Sequence, residues 1–192
     1  APVDRDDYDY IIGSNHFLPV VDGIYVAVDG DPEILLKTMN DCYHGDGVAM
    51  VRDYHKLQLR GIREQQPDVV GHFDLPKKYN RDGRFFDEES PAYRSLALEA
   101  LDNVLNVLDG YGGMLEVNTG AMAKGLRDDP YPSLFLLKHA VQRNARVIIT
   151  SDSHRVETLN AHFETTQEYL KQAGFRWMMV LQDGHFQQVK ID

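Results

Sequence analysis

The alternation of short apolar runs with longer amphipathic segments constrains the fold of this chain more than any other sequence feature. The apolar runs, several with β-branched residues, cover residues 8–13, 68–71, 114–117, 147–150 and 177–181. Runs this short are typical of buried parallel strands. The amphipathic segments between them predict helices over residues 32–40, 48–64, 92–109, 133–143 and 156–173. Strand and helix in alternation predict βαβ units, and therefore a parallel sheet covered by helices in an α/β fold.

Capping residues support these boundaries. Asp31-Pro32 supplies an N-cap and a proline at the first helical position, and Ser133 is a candidate N-cap for a later helix. Gly174 stands where a left-handed residue would end the last helix. The tail, residues 176–190, contains Asp183-Gly184, a dipeptide that favours tight hairpin turns. It predicts a terminal antiparallel hairpin.

Composition limits the classes of function. The chain has 192 residues and neither repeats nor linker-like stretches, so we expect one domain over residues 1–192. Its net charge of −10 argues against a nucleic-acid partner held through phosphates. The single Cys42 excludes an internal disulfide and suits a reducing cytoplasm, where we expect the protein. No apolar run approaches the ~18 residues of a membrane helix, so we expect no membrane partner.

Imidazole and carboxylate side chains follow four of the predicted strands. The strand ends read Ser14-Asn15-His16, Gly71-His72-Phe73-Asp74, Glu116-Val117-Asn118 and Ser151-Asp152-Ser153-His154. In a β/α barrel the C-terminal ends of the strands share one face, so these side chains should converge. Such donors suit Zn²⁺, Mn²⁺ or Fe²⁺ better than Ca²⁺ or Mg²⁺. Any one of them could be a hydrogen-bonded structural residue, but together they predict a metal centre. The other histidines are expected at the surface: His44, His55, His139, His162 and His185.

Four motifs occur in order along the chain: GSNHF at 13–17, DVVGHFDLPKKYN at 68–80, MLEVNTGAMAKGLRDDPYPS at 114–133 and VIITSDSH at 147–154. They resemble those of the polymerase-and-histidinol-phosphatase (PHP) superfamily of metal-dependent phosphoesterases. Each motif alone is weak, and the four together cover nearly the whole chain. Within the superfamily they are most similar to the histidinol-phosphate phosphatases.

The resemblance implies a distorted (β/α)₇ TIM-like barrel with two or three divalent metals, Zn, Mn or Fe, at the strand C-terminal ends. By resemblance, His16 and His72 share one metal, Asp152 binds a second and His154 a third. Water activated by the metals would be the nucleophile, so no side chain is assigned as catalytic.

The resemblance also suggests how a small phosphorylated substrate is held. Lys124 and Arg127 lie where the family places basic groups that bind the phosphate, although Lys124 stands where relatives often carry Arg. From the residues alone, both could equally be solvated loop charges. Asn118 is expected at the substrate and Glu116 beside it, whereas Lys77-Lys78 is expected to be solvated.

The chain departs from the family pattern at its start. The family opens with a His-x-His strand and further ligands, but no such element precedes Tyr8 and no His-x-His occurs in the chain. We therefore expect the C-terminal two-thirds of a barrel that lacks its first strands. A separate N-terminal segment or a homo-oligomer would supply the missing part. Whether the chain is active by itself stays open.

The predicted activity is metal-dependent hydrolysis of a phosphomonoester, with histidinol phosphate giving histidinol and phosphate in histidine biosynthesis. Two alternatives stay open. One is a non-catalytic binding or regulatory module that kept the fold. The other is a phosphoesterase or exonuclease of the same superfamily with another substrate.

Overall fold

A six-stranded sheet organises the chain, of which the computed structural model describes residues 4–20 and 23–191. In chain order the strands are β1 (Ile12–Gly13), β2 (Phe17–Pro19), β3 (Tyr25–Ala27), β4 (Val69–Val70), β5 (Met114–Asn118), β6 (Val147–Thr150), β7 (Trp177–Gln182) and β8 (His185–Lys190). The sheet order is β1-β4-β5-β6-β7-β8, parallel throughout except for the antiparallel β7–β8 hairpin. Strands β2 and β3 form a separate antiparallel ribbon.

The helices connect the parallel strands. They are α1 (Pro32–Tyr43), α2 (Gly47–Gln65), α3 (Pro91–Tyr111), α4 (Gly120–Ala123), α5 (Leu134–Gln142) and α6 (Phe163–Ala173). Asp31 caps α1 by accepting a hydrogen bond from the Glu33 N–H, and Gly174 ends α6 with φ 106°. Ser133 precedes α5 but makes no capping bond: its hydroxyl donates to Asp74 and its oxygen accepts from Nζ of Lys77. The mixed α/β fold with a parallel sheet and a terminal hairpin is confirmed.

One predicted helix is shorter than expected, and one element was not predicted. The segment predicted as helix over 156–173 is helical only from Phe163, preceded by a single 3₁₀ turn at Val156–Thr158. Val156 and Leu159, apolar residues in the part that is not α-helical, are 79% and 58% exposed. They therefore have no core to pack against. The β2–β3 ribbon was not predicted.

Most of the core lies where α2, α3, α5 and α6 pack against the sheet. Fully buried members include Tyr54, Leu101, Leu115, Leu137 and Leu170. A second, smaller cluster joins residues of four neighbouring parallel strands with two aromatic rings. It consists of Val69, Met114, Ile148 and Met179, with Tyr10 and Phe186 packed against them.

The aromatic pair in the smaller cluster shows that the sheet is strongly curled. The ring centroids of Tyr10 and Phe186 lie 5.5 Å apart, edge to face. Tyr10 precedes β1 at one edge of the sheet and Phe186 lies in β8 at the other, so the two edges approach each other. No pairing between β1 and β8 occurs within residues 4–20 and 23–191. The described strands therefore form an open, curled sheet and not a closed barrel.

None of the helices described is long and apolar enough to cross a membrane. The expectation of one domain over residues 1–192 stays a prediction. Residues 1–3, 21–22 and 192 lie outside the described part of the chain.

Candidate metal centre

The register of β1 against β4 brings the first two predicted ligands together. Gly13 pairs with Val70, and the Gly71 N–H donates to the Gly13 carbonyl at 2.9 Å, so the segments after both strands leave the sheet side by side. A Cβ on Gly71 would lie 2.2 Å from Oγ of Ser14, so a side chain at position 71 would force the Ser14 hydroxyl to rotate away. The rings of His16 and His72 consequently lie 4.7 Å apart between centroids, edge to face.

His16 is held by a carboxylate that the sequence analysis did not identify. Its Nδ1 lies 3.2 Å from Oδ2 of Asp29, which follows the β2–β3 ribbon. This hydrogen bond raises the pKa of His16 and lowers the pKa of Asp29. Nζ of Lys78 donates to the Asp29 carbonyl oxygen at 3.0 Å. Because Nδ1 of His16 is occupied, Nε2 is the nitrogen available to a ligand.

His72 is buried, with only 3% of its surface exposed. Burial lowers the pKa of His72 and favours the neutral imidazole, the form that binds cations. Its Nδ1 has no hydrogen-bond partner in the described part of the chain. A buried polar atom without a partner is costly, so this nitrogen suits an additional ligand.

Glu116 ties the ends of three neighbouring strands together behind the histidines. Its Oε2 accepts hydrogen bonds from the His72 N–H at 2.5 Å and from Nδ2 of Asn118 at 3.0 Å. Its Oε1 accepts from the Thr150 hydroxyl. Oδ1 of Asn118 in turn accepts from the Gly120 N–H at 2.8 Å. The polar groups of Glu116 and Asn118 are thus used inside the protein, where they fix the position of His72.

Asp152 and His154 follow β6 and face the same space. Asp152 adopts φ 46°, and its carbonyl oxygen lies 3.1 Å from Nδ1 of His154. The four predicted ligands line one cavity of about 240 Å³ together with Asp29, Lys78, Asn118, Lys124 and Tyr131. Within residues 4–20 and 23–191, however, no three His, Cys, Asp or Glu side chains are close enough to form a complete metal site. Metal binding by these residues stays a prediction.

Arg127, the other predicted phosphate ligand, does not line this cavity. Its guanidinium forms two 2.9 Å hydrogen bonds to Glu88 and one of 3.2 Å to Asp129. It also donates to the Lys77 carbonyl at 3.1 Å. The structure therefore brings Lys124 and Asn118 to the site, and it commits Arg127 to ion pairs elsewhere.

Two expectations about exposure to solvent were wrong. Lys77 is fully buried, with Nζ 2.6 Å from Asp129 Oδ2 and 2.8 Å from Ser133 Oγ. His55 is also buried, because its ring stacks on Phe73 at a centroid distance of 4.6 Å. Both residues look like surface residues in the sequence, because burial of a polar side chain depends on partners that lie far away along the chain.

Sequence reasoning also missed Tyr131. It is 2% exposed, its hydroxyl has no partner among the residues described, and its ring lies 6.4 Å from that of His72. Asp29 could have been found, since it follows a short strand as His16 and Asp152 do. Nothing in the local sequence marks Tyr131.

Comparison with known proteins gives consistent names. The chain is 30% identical over 170 residues to a "Probable histidinol-phosphatase" of Deinococcus radiodurans, covering 88% of this chain and 56% of that protein. It is 25% identical over 177 residues to a "Probable histidinol-phosphatase" of Schizosaccharomyces pombe (92% and 54%). It is 26% identical over 186 residues to the "Histidinol-phosphatase" of Saccharomyces cerevisiae (86% and 52%). No family model matches the chain.

A solved structure supports the fold. The crystal structure of histidinol phosphatase hisK from Listeria monocytogenes superposes with a TM-score of 0.58 and 21% identity, covering 79% of this chain and 56% of that one. The chain spans about half the length of the curated relatives it matches. The relatives and the structure together mark the chain as similar to histidinol phosphatases.

Proposed function

We propose that this chain is part of a metal-dependent phosphatase of the PHP superfamily that hydrolyses histidinol phosphate to histidinol and phosphate. The names of three relatives from three organisms support the substrate. One observation from the structure carries the proposal: His16, His72, Asp152 and His154 line a single cavity. The single cysteine, Cys42, suits a reducing cytoplasm, where we propose that the reaction takes place.

The donor set at the cavity fits divalent metals. His72 offers a neutral imidazole with an unpartnered buried nitrogen, and His16 offers the nitrogen opposite its bond to Asp29. Asp152 and His154 add a carboxylate and a third imidazole from the segment after β6, which lies two strands from β4 in the sheet. When bound, Zn²⁺, Mn²⁺ or Fe²⁺ ions supply an activated water and neutralise charge on the phosphoryl oxygens.

The protein's own groups position these ligands. Asp29 holds the ring of His16 in one orientation through Nδ1, as carboxylates commonly do for metal-bound histidines. Glu116 fixes the backbone of His72. Lys124 and Lys78 place positive charge at the cavity, where the substrate is negative. No side chain is needed as the nucleophile, and none is assigned.

We further propose that the site and the sheet are completed outside the described residues. The sheet is curled, and its edge strands β1 and β8 approach each other without pairing. This is the shape expected of part of a distorted (β/α)₇ barrel. An additional segment of the same barrel, or a second copy of the chain, would pair these edges and supply further metal ligands. Unpaired strand edges favour such association.

The incomplete ligand set among the described residues also favours a second candidate, a non-catalytic binding module with the same fold. The two candidates differ in turnover. Protein purified together with the missing segment of the barrel is incubated with Mn²⁺, Zn²⁺ or Fe²⁺ and either histidinol phosphate or glycerol phosphate, and phosphate release is followed. We expect metal-dependent release, with kcat/KM at least about tenfold higher for histidinol phosphate. No release with any of the metals would reject the phosphatase and favour the module.

A further inference from the structure

A second cavity, of about 490 Å³, adjoins the candidate metal centre. The two cavities share Gly120, Lys124, Asp152 and His154 in their linings. The larger one extends away from His16 and His72 along the segment after β6, as far as Arg155 and Thr158. A ligand in it would therefore lie directly beside the proposed metal ligands.

The lining of this second cavity is positive. It contains two permanent cations, Lys124 and Arg155, against one carboxylate, Asp152. The chain as a whole has a net charge of −10, so a cationic lining departs from the general surface. A cavity whose lining carries net positive charge concentrates anions, and this favours an anionic ligand here.

The charged ends of Lys124 and Arg155 are available to a ligand. In the described part of the chain, neither Nζ of Lys124 nor the guanidinium of Arg155 makes a hydrogen bond or ion pair, whereas Arg127 is fully engaged with Glu88, Asp129 and the Lys77 carbonyl. An arginine without a carboxylate partner keeps its planar fork free for a bidentate contact to a phosphate.

The backbone of Arg155 is nevertheless anchored. Its N–H donates to the Ser153 hydroxyl at 3.1 Å, and its carbonyl accepts from Oγ of Ser153 at 2.6 Å and from Oγ1 of Thr158 at 3.2 Å. The Cα position is thus fixed at the cavity wall while the side chain stays unpaired. An anchored backbone with an unpaired side chain is expected of a residue that contacts a ligand. A residue that stabilises the fold would have its side chain paired within the protein.

The resemblance already implies a role for Lys124 at the phosphate; we infer that Arg155, which the resemblance does not assign, is the residue that pairs with Lys124 to hold the phosphate of the substrate, in place of Arg127. The assignment of the phosphate to a substrate rests on the proposed function. The pair itself rests on the cavity and the unpaired cations. Arg155 supplies the directional contact, and Lys124 supplies a second charge from the opposite segment.

The test measures binding of inorganic phosphate to the purified protein by isothermal titration calorimetry, together with KM for histidinol phosphate. Arg155→Gln and Lys124→Gln should each raise the dissociation constant of phosphate about tenfold, the size expected for an accessible charge-assisted hydrogen bond. Arg63→Gln and Lys138→Gln serve as matched controls. Both lie on exposed helix surfaces outside the cavity and should leave binding unchanged.

The outcomes separate this inference from the proposed function. Phosphate binding that depends on Arg155 in a protein without phosphatase activity would uphold the anion site and reject the phosphatase. Turnover of histidinol phosphate with the same KM in Arg155→Gln as in the wild type would uphold the phosphatase and overturn the anion pair. Absence of phosphate binding to the wild-type protein would also overturn the pair.

Discussion

The rings of His16 and His72 lie 4.7 Å apart although the two residues are separated by two helices and a ribbon in the chain. The parallel register of β1 and β4 creates this proximity, and Gly71 leaves room beside the Ser14 hydroxyl where the two segments run next to each other. The candidate metal centre is therefore a product of sheet geometry. A substitution that disturbs the pairing of β1 with β4 should therefore weaken ligand binding while leaving the helices intact.

A pair of glycines in α2 tests the packing around the loop that precedes α3. A Cβ on Gly47 would lie 1.8 Å from the Phe85 carbonyl oxygen, whereas a Cβ on Gly61 would meet nothing within 4 Å. Gly47→Ala should therefore lower the free energy of unfolding by about 2 kcal/mol or more. Gly61→Ala should raise it by roughly 0.5–1 kcal/mol, because alanine is the better helix former. Urea denaturation measures both, and equal stability of the two variants would refute the contact.

The buried Lys77 should be essential for stability. Its ammonium bonds to Asp129, Pro130 and Ser133 with no exposure to solvent. It also lies 3.5 Å from the buried carboxylate of Asp74, so Lys77→Met leaves that carboxylate without a counter-charge. We expect a loss of roughly 3–5 kcal/mol in unfolding free energy. Lys37→Met is the control, since Lys37 pairs with Asp41 on an exposed helix surface and should not change stability measurably. A Lys77→Met variant as stable as the control would contradict the ion-pair network.

Arg127 should behave as a structural residue. Its bidentate pair with Glu88 is mostly shielded from solvent, so Arg127→Gln should cost about 2 kcal/mol of unfolding free energy. A double-mutant cycle with Glu88→Gln should show coupling between the two positions. KM for histidinol phosphate should not change. A large rise in KM without loss of stability would instead assign Arg127 to the substrate.

His55 should make stability fall in acid. Burial lowers the pKa of His55 to about 4, against a usual value of 6.5. The unfolded chain therefore binds the proton first, so the contribution of His55 is complete above about pH 6.5 and is lost as the pH falls toward 4. Between pH 7 and 5 the loss should be about 2 kcal/mol.

Replacing this histidine removes its share of the pH dependence. His55→Phe keeps a ring against Phe73 and should show a shallower fall in unfolding free energy between pH 7 and 5 than the wild type. His185→Gln, at an exposed position in β8, should retain the wild-type slope. Identical slopes in all three proteins would mean that His55 is not buried in its neutral form.

The parallel strands could be predicted because a strand buried on both faces appears as an unbroken apolar run, as in Val147–Thr150. The β2–β3 ribbon could not, since Phe17 and Tyr25 are about half exposed and leave no such run. The predicted ligands share a cavity because each follows a strand end. Arg127 is paired with Glu88 and Asp129, whereas Arg155 has no carboxylate partner among the described residues. This difference depends on which carboxylates folding brings close, and the local sequence does not reveal it.

Metal content per chain, measured by elemental mass spectrometry on protein purified together with the missing barrel segment, tests the central claim most directly. The account predicts at least one equivalent of Zn, Mn or Fe in the wild-type protein and in His185→Gln, and a clear loss of metal in His72→Asn with the fold retained by circular dichroism. Wild-type protein that binds none of these metals when they are supplied, or metal content in His72→Asn equal to that of the wild type, would contradict it.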